Sequence, residues 1–320
     1  MQPKISRALL SLITCAVALS SATLQAAKPH KWAVVNEQVG PIPLPFQAAI
    51  VRRSHRNLGK HEIEAEYPYC GVIPLFRRPG DADFRELGAL DGRIHGLVSG
   101  NKEVPLSLRP GFQASIVVRV GLRYHRRWEP VFTEPGTYTL QFYSGEQLEI
   151  LVDKPRGADK VICNLLRTNP SLAEAVHSYH EIPEEDLVTP LRRIVNLNPK
   201  SSYADYARYA LARWYTWREY NWSAPKIPVE DRQRVAALLS SIDERFAYAP
   251  HALILRFHVL QSMHSPEADE VLATLEQVHF DSSEYLDFLS GRLNQDEWNL
   301  RNPRAPRRIP VIEAKRTPAR

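Results

Sequence analysis

The chain is short of cysteine, of long apolar runs and, in its second half, of glycine. Three cysteines among 320 residues are too few for a disulfide scaffold. No uninterrupted apolar run reaches the roughly 18 residues that a membrane-spanning helix needs. Of the 14 glycines, 13 lie at or before Gly157, which excludes a glycine-rich phosphate loop from the rest of the chain. The 44% of hydrophobic and 24% of charged residues are typical of a water-soluble globular protein.

The net charge of +5 is concentrated at the two ends of the sequence. Residues 1–27 contain Lys4 and Arg7 and no acid, and residues 301–320 contain seven basic side chains against the single acid Glu313. The residues between them, 28–300, hold 32 basic and 35 acidic side chains. The body is therefore slightly acidic, and the basic character belongs to a tail.

The first 27 residues predict an export signal. After the positive start, residues 8–19 are apolar and residues 20–27 are small and polar. We expect cleavage after Ala22 or Ala26, with lipid attachment at Cys15 as a minor alternative. The mature protein is then expected to be periplasmic or secreted, without a transmembrane span, and export argues against nucleic acid as a partner.

Removal of the signal leaves Cys70 and Cys163, in a compartment that is expected to be oxidising. A bridge between them would close a long loop and would stabilise the fold by about 4 kcal/mol in the chain-entropy model. Cysteine is also a common buried small hydrophobic residue, so a bridge and two buried thiols are both open.

Alternating side chains predict a sheet domain over residues 30–154. Apolar and polar residues alternate through residues 112–124, which predicts a strand with one buried and one largely polar face. Seven or eight short strands in this length match the size of a β-sandwich. The glycine-rich composition ends near Gly157, where we place the domain boundary.

Two hairpins are expected in this domain. The run 48–53 is expected to pair with the run 62–69 through a turn at Asn57-Leu58-Gly59. The run 138–142 is expected to pair with the run 148–152 and to close the domain.

The segment Glu134-Pro135-Gly136-Thr137-Tyr138-Thr139-Leu140 resembles part of immunoglobulin-like and fibronectin-like sandwiches. In those folds a Gly-x-Tyr sequence places a tyrosine corner at the start of the penultimate strand. The resemblance covers about the last third of the domain and lacks the cysteine pair and core tryptophan of antibody domains. It implies an immunoglobulin-like antiparallel β-sandwich and a structural role for Tyr138, and it implies no ligand.

Residues 158–298 have helical periodicity and predict an all-α domain of helical hairpins, which makes the whole chain α+β with two domains. The segment 198–215 resembles the first helix of a tetratricopeptide repeat (TPR), although Pro225 and Pro228 interrupt its second helix. A TPR-like domain followed by a disordered basic tail, 299–320, is therefore expected. The predicted helices are 158–167, 171–181, 185–196, 201–221, 229–246, 251–263, 265–279 and 283–294.

Histidine and acidic residues offer weak candidates for chemistry. His177, His180 and Glu181 could ligate a metal, but their spacing differs from the helical metalloprotease motif, and a surface histidine pair is favoured. Three later histidines share no narrow ligand-bearing face: His251, His258 and His264. No nucleophile elbow is present, so no catalytic residue is assigned, no cofactor is expected, and metal ligands remain unknown.

Aromatic and basic residues offer binding surfaces instead. The predicted helix 201–221 carries more aromatic rings than one packing face needs, and Trp217 and Tyr220 are expected to contact a protein or peptide partner. The segment 119–128 interleaves basic and aromatic residues, and we favour a solvated strand face there over an anion site. The tail 301–320 either contacts an anionic envelope surface or serves solubility.

The sequence thus favours a non-enzymatic, exported adaptor of the cell envelope that binds a protein or peptide through its helical domain. One alternative is an envelope hydrolase, with or without a metal, at the junction of the two domains. The other is a protein that binds anionic glycan or lipid through the sandwich and the tail.

Overall fold

Strands fill the first half of the chain and helices the second. The computed structural model describes residues 32–65, 75–87, 89–90, 106–125, 127–142, 145–177, 183–217 and 228–279, with Ser282, Tyr285, Phe288 and residues 307–308. Except for one two-residue strand at 307–308, the described strands end at Val152 and the α-helices begin at Gly157. The chain is therefore mixed α+β, with antiparallel sheets before helices, as predicted.

The strands, numbered in chain order, range from two to nine residues in length. They are β1 (Trp32–Val39), β2 (Ala49–Asn57), β3 (Ile63–Ala65), β4 (Leu75–Arg77), β5 (Arg85–Glu86), β6 (Ala89–Leu90), β7 (Leu106–Leu108), β8 (Phe112–Val120), β9 (Leu122–His125), β10 (Arg127–Pro130), β11 (Gly136–Gln141), β12 (Gln147–Val152) and β13 (Arg307–Arg308). They form sheets in the orders β1-β2-β8-β13, β10-β9-β6, β12-β11-β4-β5 and β3-β7, and their pairings are antiparallel.

One of the two predicted hairpins forms. Strands β11 and β12 pair in register, with Tyr138 opposite Ile150, which confirms the second hairpin. The first is wrong, because β2 pairs with β1 and β8 whereas β3 pairs with β7. The side chain of Asn57 explains the departure: its Nδ2 donates to the carbonyl oxygens of His61, at 2.9 Å, and Leu108, at 2.7 Å.

Gly121 separates β8 from β9 at a point of close packing. A Cβ at this position would lie 2.8 Å from the Cβ of Ala48 and 3.0 Å from the hydroxyl oxygen of Tyr248. Its carbonyl accepts a hydrogen bond from the backbone N–H of Val131 at 2.9 Å, which fixes the start of the next connection. The absence of a side chain therefore lets the sheet approach both the preceding loop and the helical half.

Seven α-helices are described, and most begin and end near the predicted limits. They are α1 (Gly157–Thr168), α2 (Pro170–His177), α3 (Val188–Leu197, after a 3-10 turn at Glu185–Leu187), α4 (Ser202–Trp217), α5 (Val229–Ser240), α6 (Ala249–Ser262) and α7 (Glu267–Val278). Tyr285 and Phe288 are also helical, while the rest of the predicted helix 283–294 lies outside the described residues.

The starts of α2 and α4 each lie one residue from the predicted start, and α5 ends six residues before its predicted end. The N-cap of α2 is Asn169, whose Oδ1 accepts the N–H of Leu172, and that of α4 is Ser201, whose Oγ accepts the N–H of Tyr203. Asparagine and serine are both favoured N-caps, because their side-chain oxygens accept N–H groups that the first helical turn leaves unpaired. Helix α5 ends at Ser240 instead of continuing to 246, because residues 241–248 form turns.

The two halves share one apolar core. Phe46 and Ala48, from the loop before β2, belong to the same buried cluster as the inward faces of helices α1 to α6. A second cluster lies inside the sheets and includes Val51, Phe76 and Tyr138. Ala114 and Val120 on one face of β8 and Val117 and Arg119 on the other are all buried, so both faces are covered at these positions, which corrects the predicted polar face.

Candidate functional site

A proline-rich loop, residues 41–48, connects β1 to β2 and packs against the helical half. We call it the junction loop. The hydroxyl of Tyr203 donates to the carbonyl of Pro45 at 2.6 Å, and the hydroxyl of Tyr206 accepts the N–H of Ala48 at 2.7 Å. The Nε2 of Gln47 donates to a hydroxyl of α4 at 2.6 Å. The two tyrosine bonds satisfy loop backbone groups that no strand pairs, so α4 supplies part of the loop's hydrogen-bond partners.

Phe46 holds the junction loop in an unusual conformation. Its φ of 62° lies in the left-handed region, which costs a non-glycine residue about 1 to 3 kcal/mol. Its N–H donates to the carbonyl of Phe132 at 2.7 Å, and its ring is buried in the helical core. The hydrogen bond to Phe132 and the burial of the ring together hold this conformation. Phe46 therefore contacts both halves of the protein.

His177, the last residue of α2, is buried at the same junction. Its side chain is 1% exposed, and its ring lies 5.4 Å from the ring of Tyr206 between centroids. Burial lowers the pKa of His177 to about 3, and a polar contact with the Phe46 backbone offsets only part of that effect. The imidazole is therefore neutral near pH 7, and the prediction of a surface histidine is wrong at this position.

Arg119 crosses the junction in the other direction, from β8 to the helical half. Its Nε donates to the carbonyl of Ala247, and Arg119 is only 5% exposed. The prediction of a solvated face is therefore wrong for Arg119, because the turn before α6 covers it. Arg123 keeps a partly exposed position, and its Nη2 lies 2.7 Å from the carboxylate of Glu129.

A cleft of about 200 Å³ opens beside the junction loop, and we call it the junction cleft. Both halves line it, so a molecule bound there would contact the sheets and the helices together. The side chains that bear on its chemistry are Gln47, Lys200, Ser202, Asp205, Asp243 and Arg245.

The two aspartates of the junction cleft have opposite pKa shifts. Burial raises the pKa of Asp205, although the guanidinium of Arg208, 2.7 Å away, works against that shift. Hydrogen bonds from Arg245 lower the pKa of Asp243, with Nε to Oδ1 at 3.1 Å and Nη2 to Oδ2 at 2.9 Å. Asp205 pairs with Arg208 and Asp243 pairs with Arg245, so both aspartates of the junction cleft are in ion pairs.

A second candidate surface lies on the outer side of α3. An open groove of about 370 Å³ is lined by Thr189, Arg192, Arg193, Asn196 and Leu197, and we call it the arginine surface. Both arginines are exposed. The guanidinium of Arg192 donates to the hydroxyl of Tyr215 in α4, so the groove extends toward the end of that helix.

Of the two predicted partner-binding residues, Trp217 lies at this end of the helical half. Trp217 is the last residue of α4, while its side chain and the whole of Tyr220 lie outside the described residues. The buried aromatic residues of α4, predicted as interhelical core, are confirmed as such at Tyr203, Tyr206 and Tyr209. The exposure of Trp217 and Tyr220 stays a prediction.

The other predicted site residues are structural. Cys163 is buried on α1, and because Cys70 lies outside the described residues, a bridge between them stays a prediction. The hydroxyl of Tyr138 accepts the N–H groups of Thr133 and Glu134, both at 3.1 Å, and donates to the Glu134 carbonyl at 3.2 Å. Tyr138 therefore ties its own strand to the preceding turn.

The described ranges contain no group of three or more histidine, cysteine, aspartate or glutamate side chains that could hold a metal ion. The proposed ligands His180 and Glu181 lie outside these ranges, so the question of that cluster stays open. Among the same described residues, no helix is both long and apolar enough to cross a membrane.

Sequence reasoning missed the polar residues of both surfaces. Asp243 and Arg245 were assigned to a continuous helix, and their ion pair depends on the turn that ends it. Arg192 and Arg193 are adjacent in the sequence, and a basic pair on the polar side of a short helix was the available signal. Comparison of the chain with protein-family models and with curated proteins finds no match in either case.

Proposed function

We propose that the protein is a non-enzymatic, exported adaptor of the cell envelope that binds a protein or peptide partner through its helical half. The observation that carries the proposal is the packing order of the helices. Helix α3 packs on α4, α4 on α5, α5 on α6 and α6 on α7. Contact between successive helices is the principle of helical-repeat proteins, whose continuous outer surfaces are used for binding.

The sheet half fits the role of a rigid base for this surface. Hydrogen bonds from Tyr203, Tyr206 and Gln47 and the shared core hold it against α4. We infer an immunoglobulin-like sandwich, which the hydrogen bonds of Tyr138 support, since a tyrosine corner bonds back to the preceding turn. We infer a TPR-like arrangement for the helices on the packing order alone.

The test is a pull-down of the tagged mature protein from an envelope extract, followed by mass spectrometry. The variant Trp217→Ala/Tyr220→Ala is compared with Leu58→Ala, a matched removal of an apolar side chain that is 69% exposed on the sheet half. We expect a discrete protein that the wild type and Leu58→Ala retain and that the double variant loses. Loss in both variants, or retention in all three samples, contradicts binding at the end of α4.

A hydrolase is the second candidate, and the junction cleft is the reason to keep it. Two neighbouring carboxylates with pKa values moved in opposite directions are the arrangement that separates a general acid from a general base. Hydrolysis of ester, glycoside or peptide substrates that Asp205→Asn and Asp243→Asn both abolish would establish this candidate over the adaptor. Equal rates in the wild type and both variants would exclude these residues from any hydrolysis observed.

A further inference from the structure

We propose that the arginine surface binds an acidic peptide segment of the partner; this inference rests on the adaptor function proposed above and names the chemistry of the partner. The surface combines a basic pair, Arg192 and Arg193, with the polar side chains of Thr189 and Asn196 and the partly exposed Leu197.

The charge of the pair is not balanced by a neighbouring acid. No carboxylate of the described residues forms an ion pair with Arg192 or Arg193. Three other arginines of the helical half, Arg208, Arg234 and Arg245, each lie within 3.0 Å of an aspartate oxygen. Arg192 and Arg193 differ from these three arginines, because no carboxylate of the described residues pairs with them.

The closest acids along the chain are too far away to substitute for such a partner. Glu185 and Asp186 precede α3, and Asp186 is seven residues before Arg193. At about 1.5 Å per residue, this separation is about 10 Å along the helix axis, which is about the Debye length at 0.1 M salt. Exposed charges at that distance are largely screened, so these two acids do not neutralise the basic pair.

Tyr215 orients one member of the basic pair, Arg192. The guanidinium of Arg192 donates to its hydroxyl, and the guanidinium of Arg234 lies over its ring, 4.9 Å from the centroid. Tyr215 itself is 3% exposed and cannot move away. The bond to Tyr215 uses one of the five N–H groups of Arg192, and a guanidinium that is already oriented binds a carboxylate with less loss of side-chain entropy.

The other side chains of the groove favour a peptide over a purely anionic surface. Thr189 and Asn196 can each donate and accept hydrogen bonds, as a peptide backbone requires. Leu197 is 38% exposed at the end of α3 and offers an apolar contact beside the charges. A segment in which acidic and apolar side chains alternate would satisfy all three kinds of group at once.

The test uses the full mature protein and a fluorescein-labelled peptide of alternating glutamate and leucine, with the alternating lysine and leucine peptide as the reference. We expect the glutamate peptide alone to bind by fluorescence anisotropy, with an affinity that falls as salt is raised. Arg193→Glu should lower this affinity about tenfold or more, because it replaces a charge-assisted bond with repulsion. Lys160→Glu, the same charge change at an exposed site on α1, should leave it unchanged.

Three outcomes would overturn the proposal. Equal losses in Arg193→Glu and Lys160→Glu would mean that only the net charge matters. Failure of the wild type to bind the glutamate peptide even at low salt would exclude the arginine surface as a site for an acidic peptide. Binding to phosphatidylglycerol vesicles that depends on Arg193, without binding of the peptide, would assign the surface to a membrane instead.

The same variants separate this inference from the adaptor function. If the pull-down partner is lost from Trp217→Ala/Tyr220→Ala but retained by Arg193→Glu, the adaptor function stands and the acidic-segment inference fails. If no discrete partner is retained by the wild type, the adaptor function fails whatever the peptide does. Matching thermal unfolding of Arg193→Glu and the wild type, expected for an exposed residue, excludes misfolding as the cause of either result.

Discussion

The neutral histidine at the junction makes the protein sensitive to mild acid. The pKa of His177 is lowered from 6.5 to about 3 in the folded protein, whereas in the unfolded chain it returns to its ordinary value. Below pH 6.5 the unfolded state therefore binds a proton that the folded state does not, and stability falls as the pH falls toward 3. The neighbouring Tyr206, whose pKa burial raises, stays neutral across this range.

The size of the effect follows from the separation of the two pKa values. At about pH 5, which is about 1.5 units below the ordinary value, the loss is about 2 kcal/mol at about 1.4 kcal/mol per unit. The assay is urea unfolding of the wild type and of His177→Gln, which cannot titrate, at about pH 7.5 and about pH 5. The wild type should lose about 2 kcal/mol more than the variant. Equal losses in the two proteins would refute the burial of a neutral imidazole at the junction.

Three further predictions concern the junction and the cysteines. Tyr206→Phe leaves the buried N–H of Ala48 without its acceptor and should lower the unfolding free energy by about 1 to 3 kcal/mol in urea titrations; an unchanged midpoint would contradict that bond. Gly121→Ala should lower the unfolding free energy by about 1 to 3 kcal/mol through overpacking against Ala48, and adding Ala48→Gly should restore part of it. No recovery in the double variant would contradict the close approach of these two residues. If Cys70 and Cys163 form a bridge, the protein without reductant should weigh two hydrogens less than the reduced protein. Alkylation of Cys163 in denaturant without reductant would exclude the bridge.

The local structure was largely predictable from the sequence. Helix limits followed apolar periodicity and start signals, which are local properties, and α7 and α6 lie close to their predicted ranges. The β11–β12 hairpin was predictable for the same reason, since its turn and both strands lie within 17 residues of sequence, from Gly136 to Val152. In these elements propensity, pattern and turn chemistry agree.

The long-range choices were not predictable in this way. The alternation of β2 suits any antiparallel partner, and only the tertiary position of Asn57, bonded to Leu108, directs the chain away from the expected hairpin. The buried state of His177 and Arg119 depends on contact between the two halves, which no local pattern encodes. The same holds for the junction cleft, which combines residues from separate elements. The arginine surface lies on α3 alone, and what the sequence does not predict there is the bond from Arg192 to Tyr215 of α4.

The two-residue strand β13 illustrates the same limit at the end of the chain. Arg307 and Arg308 pair with Gln113 and Phe112 of β8, although a basic, proline-rich tail predicts disorder. An exposed strand edge supplies backbone partners to any extended segment, whatever its side chains, so composition alone does not predict the pairing. The other tail residues lie outside the described part of the chain.

The central claim, that the helical half holds a protein partner, is tested most directly by photocrosslinking in the intact cell envelope. A photoreactive amino acid is introduced at Arg193 on α3, and in a separate protein at Leu58 on the sheet half, both exposed positions. We predict a discrete adduct of one partner at position 193 and none at position 58. Adducts of the same mass at both positions, or none at position 193, would contradict binding through the helical half.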